Sequence, residues 1–232
     1  MQLISEQLMG TGFEMILDEE LYQSYLSRLI DGEHRICHFI IKQLIEQGIS
    51  VKELYVNVFQ RSLYEIGYKW QKNELGIATE HMATVMTESL MSLSYPLLFN
   101  NMHQDMRALI TCVQGEFHQV GARMVADFFE MQGWHGHTLG ANTPTSSLLE
   151  AIDDIKPDVL GISVSMTFHF SNMSEMVKAV MNSFPQQHII VGGRAFLNPD
   201  CQQELKTFLS DYPKAQHLGS LEHLEQFIRE WV

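Results

Sequence analysis

The chain has 232 residues, 45% of them hydrophobic, which is enough for one large or two small cores. The chain has 28 acidic and 15 basic residues, which give it a net charge of −13. It lacks the cluster of Lys and Arg residues that binding to a nucleic-acid duplex needs, so direct nucleic-acid binding is disfavoured. Three scattered cysteines without a CxxC pair, no signal-peptide pattern and no apolar run of about 18 residues predict a cytoplasmic protein that is not bound to membranes.

The first hundred residues carry helical periodicity throughout. After a poorly defined lead-in, four helices are predicted, with the limits Asp18 to Asp31, Glu33 to Gln47, Ser50 to Trp70 and Ile77 to Leu98. Because the connections between them are short, an antiparallel four-helix bundle is expected over residues 15–99.

Particular residues predict the ends and the buried face of these helices. Gly48 supplies the left-handed cap that ends the second helix, and Ser50 with Glu53 forms a capping-box signature at the start of the third. The apolar residues expected on the buried face of the fourth helix are Met82, Val85, Met86, Leu90 and Leu93.

The second half of the chain alternates strand and helix after a polar joining segment, residues 99–105. Strands are predicted at 108–113, 136–140, 159–164, 188–191 and 215–218, and helices at 120–132, 145–155, 174–184, 200–209 and 221–232. Five βα units predict a parallel, doubly wound, Rossmann- or flavodoxin-like sheet over residues 105–232. The fold class is therefore a helical bundle followed by an α/β domain. Loops that follow the strands should meet at one edge of the sheet, where such sheets bind ligands.

The loop after the first of these strands, residues 115–121, carries the chemistry of greatest interest. Glu116 can accept the Nδ1–H of His118, which fixes the imidazole tautomer and raises the basicity of Nε2, as an orienting carboxylate does for a metal-bound His. Gly121 lets the backbone pass close to a bulky flat ligand. A loop His can also be no more than a solvated side chain, but with these neighbours His118 is interpreted as facing a metal.

Small residues end the next strands of the predicted sheet. Ser163 to Thr167 follow the third strand, Gly192-Gly193 follow the fourth, and Asn142 to Pro144 reach the same edge after the second. Each stretch alone also fits an ordinary turn or strand end. Together they predict a narrow, deep slot beside His118, which suits a macrocycle with a long tail. No G-x-G-x-x-G follows a strand, so dinucleotide binding is disfavoured.

The ordered motif Glu116-x-His118-x-x-Gly121, Ser163-x-Ser165 and Gly192-Gly193 resembles the cobalamin-binding module of methionine synthase, corrinoid methyltransferase proteins and cobalamin-dependent regulators. The resemblance covers residues 15 to 232. It implies that Nε2 of His118 replaces dimethylbenzimidazole as the lower axial cobalt ligand, that the nucleotide tail enters the slot, and that the corrin lies between sheet edge and bundle. The cofactor-binding residues expected in the α/β domain are Glu116, Phe117, His118, Gly121, Ser163, Ser165, Thr167, Gly192 and Gly193.

A second motif, in the helical half, is similar to the W-x9-E-H pattern of the light-sensing, CarH-like cobalamin regulators. Trp70 is followed after nine residues by Glu80-His81. In that family these three residues lie over the upper corrin face, against the adenosyl or other upper ligand. Trp70 also fits a core aromatic, and Glu80 also fits a helix start, where its charge favours the dipole. Glu116, where methyl-transferring corrinoid proteins usually have Asp, fits the regulator branch.

The resemblance implies a cobalamin-binding sensor rather than an enzyme, switched by photolysis of the upper Co–C bond. Adenosylcobalamin is the expected cofactor, with methylcobalamin as the alternative. A protein partner such as a transcription factor, as for AerR-like antirepressors, or a second copy of the chain would read the change. Two other functions stay open: a corrinoid methyl carrier for methyltransferases and a photoreceptor that also binds a bilin. The Glu80-His81 pair disfavours the methyl carrier.

The sequence departs from the CarH-like pattern in two respects. It has no helix-turn-helix segment, and Gln71 follows Trp70 where some light-sensing members carry a His. In those members that His takes the upper cobalt position after photolysis. A bis-His product through residue 71 is therefore excluded.

Overall fold

A computed structural model describes residues 17–98 and 104–231. The chain divides into two compact units at the boundary between Leu97 and Leu98, the first helical and the second α/β, so the predicted fold class is confirmed. The predicted domain limits, 15–99 and 105–232, extend to residues outside the described ranges and stay a prediction. No helix in the described ranges combines the length and the apolar content needed to span a membrane.

Six α-helical stretches lie within residues 17–98. They are α1 Glu19–Ile30, α2 His34–Glu46, α3 Val51–Glu53, α4 Arg61–Gln71, α5 Ile77–Met91 and α6 Tyr95–Leu98. A π-helical segment, Leu54–Gln60, joins α3 to α4, and a 3₁₀ turn, Ser92–Ser94, joins α5 to α6. The third predicted helix is therefore continuous along the chain but changes its hydrogen-bond pattern twice, which periodicity did not indicate.

The helix ends follow the local chemistry of their residues. The Asp18 carboxylate accepts a hydrogen bond from the backbone N–H of Leu21 at 2.8 Å and so caps α1. Gly48 has a φ of 87°, the left-handed conformation expected of it after α2. The capping box is also present, since Ser50 Oγ accepts from Glu53 N at 3.1 Å and Glu53 Oε2 accepts from Ser50 N at 3.2 Å.

The buried face of α5 agrees with the predicted one at Met86 and Leu90 and differs from it at Met82 and Val85. Val85 is 64% exposed and Met82 is 40% exposed, whereas the buried residues of α5 are Ala83, Met86, Thr87, Leu90 and Met91. Positions 83, 87 and 90 lie on one side of a helix, and position 85, two residues from 83 and from 87, points to the other side. Since α5 carries apolar residues on most of its surface, hydrophobicity alone did not identify its inner face.

The α/β unit alternates strands and helices without interruption. The strands are β1 Arg107–Cys112, β2 His135–Gly140, β3 Val159–Ser163, β4 His188–Gly192 and β5 Ala215–His217. The helices are α7 Val120–Met131, α8 Thr145–Ile155, α9 Phe170–Ser183, α10 Pro199–Leu209 and α11 Leu221–Trp231. Two 3₁₀ turns precede α9 and α10, at Thr167–His169 and Arg194–Leu197. Helix α9 begins four residues before its predicted start, at Phe170 instead of Ser174.

The five strands are parallel and lie in the order β2-β1-β3-β4-β5. Strand β1 is buried at five of its six positions, as expected of a parallel strand with helices on both faces. The order reverses between β1 and β3, and ligands of such sheets bind outside the carboxyl ends of the strands at this switch point. Cys112, Ser163 and Gly192 stand side by side in register at those ends.

Candidate functional site

Glu116 is the fully buried centre of the loop between β1 and α7, with a relative exposure of 0%. Its Oε1 atom accepts two hydrogen bonds from His118, one from Nδ1 at 2.5 Å and one from the backbone N–H at 3.0 Å. Its Oε2 atom accepts from the backbone N–H groups of Ser165 and Met166, at 2.9 and 3.0 Å. One carboxylate therefore satisfies four donors from two loops.

These contacts determine the charge of Glu116. Burial by itself would raise the pKa of the carboxyl, but the hydrogen bonds from the His118 ring and from the three backbone N–H groups outweigh it and lower the pKa to about 2. The neighbouring Cys112 thiol responds in the opposite sense, since burial and then the Glu116 charge raise its pKa to about 12. The Glu116 carboxylate of the loop thus lies near the Cys112 thiol at the end of β1, and the pKa values of the two groups are shifted in opposite directions.

The predicted orientation of His118 is present in the structure. With Glu116 on Nδ1, the imidazole keeps its proton on that nitrogen, and Nε2 is the nitrogen suited to a metal. The His118 side chain is 40% exposed, so the ring is anchored at one end and open toward solvent in part. Its role as a metal ligand stays a prediction.

Glu116 also joins the two sides of the switch point. It belongs to the loop after β1, while Ser165 and Met166 belong to the loop after β3, and these two strands are neighbours in the sheet. The sequence placed Ser165 in the slot as a small residue of the 163–167 loop, and it did not predict a role for Met166 of the same loop. It is their backbone N–H groups that hold Glu116, and backbone donors leave no trace in residue type.

The glycines of the predicted slot have structural reasons to be glycine. Gly193 has a φ of 115°, and a Cβ there would collide with the backbone of Val164. A Cβ on Gly192 would lie 2.9 Å from the carbonyl oxygen of Leu218. Close packing of the loops after β3, β4 and β5 therefore already requires both glycines, beyond any ligand clearance.

The remaining slot residues lie at the same edge of the sheet. Ser163 ends β3 in register between Cys112 and Gly192, and it is partly exposed, as is Ser165. Thr167 is exposed at the start of the 3₁₀ turn before α9. The predicted convergence of these small and hydroxyl-bearing residues near the His118 loop is what the parallel topology produces.

An apolar surface accompanies these polar groups. Among the described residues of the α/β unit, the exposed large hydrophobic side chains are Phe117, Phe168 and Leu197, at 69%, 68% and 63% exposure. All three belong to loops that follow β1, β3 and β4. Large apolar side chains that gather at one edge mark a surface for a ligand or a partner. Phe168 and Leu197 were not predicted as site residues, since their exposure depends on the turn geometry.

Gly121 lies in the first turn of α7 and is exposed. A Cβ at this position would have no protein atom within 4 Å, in contrast to Gly192 and Gly193. No neighbouring residue of the described structure therefore explains why position 121 lacks a side chain. Clearance for a ligand beside His118 is the explanation that fits.

The second motif gathers at one end of the α4–α5 helix pair. Trp70 lies in the last turn of α4, and Glu80 and His81 lie at the start of α5, with the turn 72–76 between the two helices. Glu80 Oε2 is 3.6 Å from Nε2 of His81, and Glu80 Oε1 accepts from the Thr84 hydroxyl at 3.3 Å. Trp70 is partly exposed and His81 is exposed, so neither is a core residue of the helical unit.

Two family models match the chain, both described as B12 binding domain, at residues 106–206 and 21–93. Together they cover about three quarters of the sequence. The chain belongs to the B12-binding domain proteins. The first match contains the Glu116–His118 loop and the ends of β3 and β4, and the second contains Trp70, Glu80 and His81.

The relatives of this B12-binding domain protein include a regulator and corrinoid proteins. The HTH-type transcriptional repressor CarA of Myxococcus xanthus is 25% identical over 119 residues, which are 51% of this chain and 41% of the repressor. The chain thus spans less than half of that relative. The trimethylamine corrinoid protein of Methanosarcina barkeri is 21% identical over 180 residues, 75% of this chain and 83% of that protein.

A solved structure shares the fold. The Methanosarcina barkeri monomethylamine corrinoid protein superposes with a TM-score of 0.75 over 91% of this chain and 98% of that chain, at 14% sequence identity. At this identity the likeness shows the fold alone.

The residues at the sheet edge fit the cofactor that the family implies. Cobalt accepts an imidazole nitrogen, and His118 offers one whose ring is already oriented by a buried carboxylate. The edge presents apolar side chains for a large flat ring, and Gly121 leaves open space next to the His. Cobalamin binding is thus supported by sequence family and by the chemistry of the donor set.

Proposed function

We propose that the α/β unit binds cobalamin with Nε2 of His118 as the lower axial ligand of cobalt. The hydrogen bond between Glu116 and His118 carries this proposal. It fixes the Nδ1 tautomer, limits rotation of the ring and, through the buried charge, strengthens Nε2 as an electron-pair donor. Ser163, Ser165, Thr167, Gly192 and Gly193 would line the slot for the nucleotide tail, and Phe117 would contact the corrin.

Isotope-edited electron paramagnetic resonance tests this assignment directly. Protein grown with ¹⁵N-histidine is mixed with hydroxocobalamin and reduced to the Co(II) form. Coordination by His118 splits each cobalt line into a doublet, whereas the unlabelled benzimidazole of the cofactor gives a triplet. The His118→Ala variant should lose the doublet. The His188→Ala variant should keep it, because His188 lies at the amino end of β4, away from the carboxyl ends of the strands. A triplet in the labelled wild-type protein would disprove the ligand assignment.

We further propose that the protein is a cobalamin-dependent sensor of light, with adenosylcobalamin as its cofactor. When bound, this cofactor supplies a Co–C bond that visible light breaks. The motif at the end of α4 and α5 supports the proposal: Trp70 would cover the upper ligand and exclude water, and Glu80 would accept a hydrogen bond from the ribose. Resemblance to a repressor also favours regulation. The partner that binds the light-activated or the dark state would be a transcription factor or a second copy of the chain.

Absorbance spectra test the light proposal. Protein reconstituted with adenosylcobalamin should change its spectrum on green illumination and keep it in the dark, and light should also change its elution or its binding to a partner. An unchanged spectrum after illumination would rule out the light-sensing function. A bilin, the further cofactor considered for a photoreceptor, would show as a separate long-wavelength band in protein isolated from its source cells.

The corrinoid methyl carrier is the second candidate, and one observation favours it. The trimethylamine corrinoid protein aligns over 83% of its own length, about twice the share of the CarA repressor. As a carrier, the protein would exchange a cobalt-bound methyl group between two methyltransferases. Transfer of a labelled methyl group from protein-bound methylcobalamin to an acceptor, in the dark and with a methyltransferase present, would decide for the carrier.

A further inference from the structure

Asn142, in the turn between β2 and α8, makes hydrogen bonds to two backbone groups of the β1–α7 loop, the N–H of Gly115 and the carbonyl oxygen of Glu116. Its Oδ1 atom accepts from the backbone N–H of Gly115 at 2.8 Å. Its own backbone N–H donates to the carbonyl oxygen of Glu116 at 2.8 Å. Asn142 has a φ of 50°, in the left-handed region that Asn tolerates better than most residues.

Neighbouring amides extend this connection between the loops. The Gln119 side-chain oxygen accepts from the backbone N–H of Ala141 at 3.1 Å. On the other side, the side-chain amide of Asn172, on α9, donates to the carbonyl oxygen of Gln114 at 2.7 Å. The β1–α7 loop is therefore held by the side-chain amides of Asn142 and Asn172, which lie on other elements, and by that of Gln119, which lies at the end of the loop itself.

The consequence for Glu116 is a complete set of partners. Its backbone N–H donates to Val113, its carbonyl oxygen accepts from Asn142, and both carboxylate oxygens are taken by His118, Ser165 and Met166. The carboxylate can orient the imidazole only as well as its own backbone is fixed. Asn142 is the contact that fixes that backbone from the β2 side.

We infer that Asn142 is a positioning residue for His118, acting through Gly115 and Glu116 to hold the imidazole where it can coordinate cobalt. The inference rests on the proposed function and adds a residue from outside the motif to its site. The geometry of a metal ligand depends on the groups that orient it, and loss of such a group weakens coordination. Removal of the Asn142 side-chain oxygen should therefore weaken coordination by His118.

A purely structural role makes a different prediction, because it would concern only the turn. If Asn142 were needed for its left-handed φ alone, Asn142→Gly would serve as well as Asn, since Gly adopts that conformation without strain. If the acceptor for Gly115 matters, Asn142→Gly should fail and Asn142→Asp should succeed. Aspartate keeps an oxygen at the same position and also tolerates the left-handed region.

The test is competition for cobalt in the full chain labelled with ¹⁵N-histidine and loaded with hydroxocobalamin reduced to Co(II). Added unlabelled imidazole converts the ¹⁵N doublet into a ¹⁴N triplet, and the imidazole concentration at half conversion measures the strength of His118 coordination. Asn142→Gly should lower this concentration about three- to tenfold, since one hydrogen bond is lost, while Asn142→Asp stays within about twofold of wild type.

Asn198→Ala is the matched control, because Asn198 caps α10 in the same unit with its Oδ1 atom on two backbone N–H groups. It should lower the melting temperature of the apoprotein and leave the imidazole competition unchanged. A wild-type competition curve for Asn142→Gly would overturn the inference and leave the proposed function intact. A wild-type protein without the ¹⁵N doublet would instead overturn the proposed function, and the inference with it.

Discussion

Glu116 and Ser165 are bonded across the switch point of the sheet: the carboxylate of the first accepts the backbone N–H of the second at 2.9 Å. One residue follows β1 and the other follows β3, where open α/β sheets usually leave a crevice for a ligand. The loops on the two sides of this crevice are thus fixed relative to each other. The His118 imidazole is attached to the same carboxylate, so its orientation is set by the fold rather than by a ligand.

Glu116→Gln should remove an acid-sensitive part of the stability. The folded pKa of Glu116 is lowered from 4.5 to about 2, so its contribution is fully present above pH 4.5 and is lost as the pH falls toward 2. That contribution is worth about 3 kcal/mol at neutral pH. Urea denaturation of the apoprotein between pH 2 and pH 7 should show a smaller pH dependence in the variant than in wild type.

The exposed residue Glu150, on α8, offers the control for this prediction. Glu150→Gln should follow the wild-type curve across the whole pH range. Parallel curves for Glu116→Gln and wild type would show that Glu116 does not carry this part of the stability.

Gly121→Ala should separate folding from ligand binding. The position is helical and exposed, and an added Cβ would have no neighbour within 4 Å, so the apoprotein should gain up to about 1 kcal/mol from the higher helix propensity of Ala. If the corrin passes close to this backbone, the added methyl group should weaken cobalamin binding roughly tenfold. Equilibrium dialysis with hydroxocobalamin and thermal melting measure the two effects. Unchanged affinity would mean that Gly121 does not face the cofactor.

Gly193→Ala should destabilise the α/β unit by about 3 kcal/mol or more, because a positive φ and a collision with Val164 act together. Gly48→Ala is the comparison, since Gly48 also has a positive φ but no atom within 4 Å of an added Cβ. Strain alone should cost that variant about 1 kcal/mol. Equal losses of unfolding free energy in the two variants would show that the collision at Gly193 is relieved by a small backbone shift.

Trp70→Ala and Glu80→Ala should impair the recognition of the upper ligand. Both variants should bind adenosylcobalamin roughly tenfold more weakly while their affinity for hydroxocobalamin, which lacks the adenosyl group, changes little. Tyr68, 57% exposed on the same helix as Trp70, provides the control variant Tyr68→Ala. Equal losses for both cobalamins would place Trp70 and Glu80 away from the upper ligand.

The sequence predicted most of the fold because local signals agreed with one another. The capping box at Ser50, the cap at Gly48 and the strand-to-helix position of His118 all occur where residue type predicted them. The Glu116–His118 pair was also predictable, since two residues of separation in a loop allow a carboxylate to reach Nδ1. These features depend on residues near one another in the chain.

Other features depend on backbone groups or on competition between faces, and the sequence carries little trace of them. Met166 belongs to the site through a backbone hydrogen bond to Glu116, which any residue type except proline can donate. Val85 is exposed because α5 has apolar residues on several faces, and a different face packs against the rest of the helical unit. Position 193 requires glycine because the backbone of Val164, in the loop after β3, lies too close for a Cβ atom.

The π-helical segment Leu54–Gln60 has a consequence for Trp70, which lies downstream in the same continuous helical stretch. Each residue of an α-helix turns the chain by about 100°, so a wider turn changes the direction in which every later side chain points. A π-helical turn holds about one more residue than an α-helical turn, so deleting one residue within this segment would let regular i to i+4 bonding run through it and would leave Trp70 pointing in nearly the same direction. A single-residue deletion in the regular α-helix between Arg61 and Trp70 would instead rotate the indole by roughly 100° relative to the residues before the deletion. The segment Leu54–Gln60 is thus the part of this stretch where the chain can lose one residue without turning the motif away.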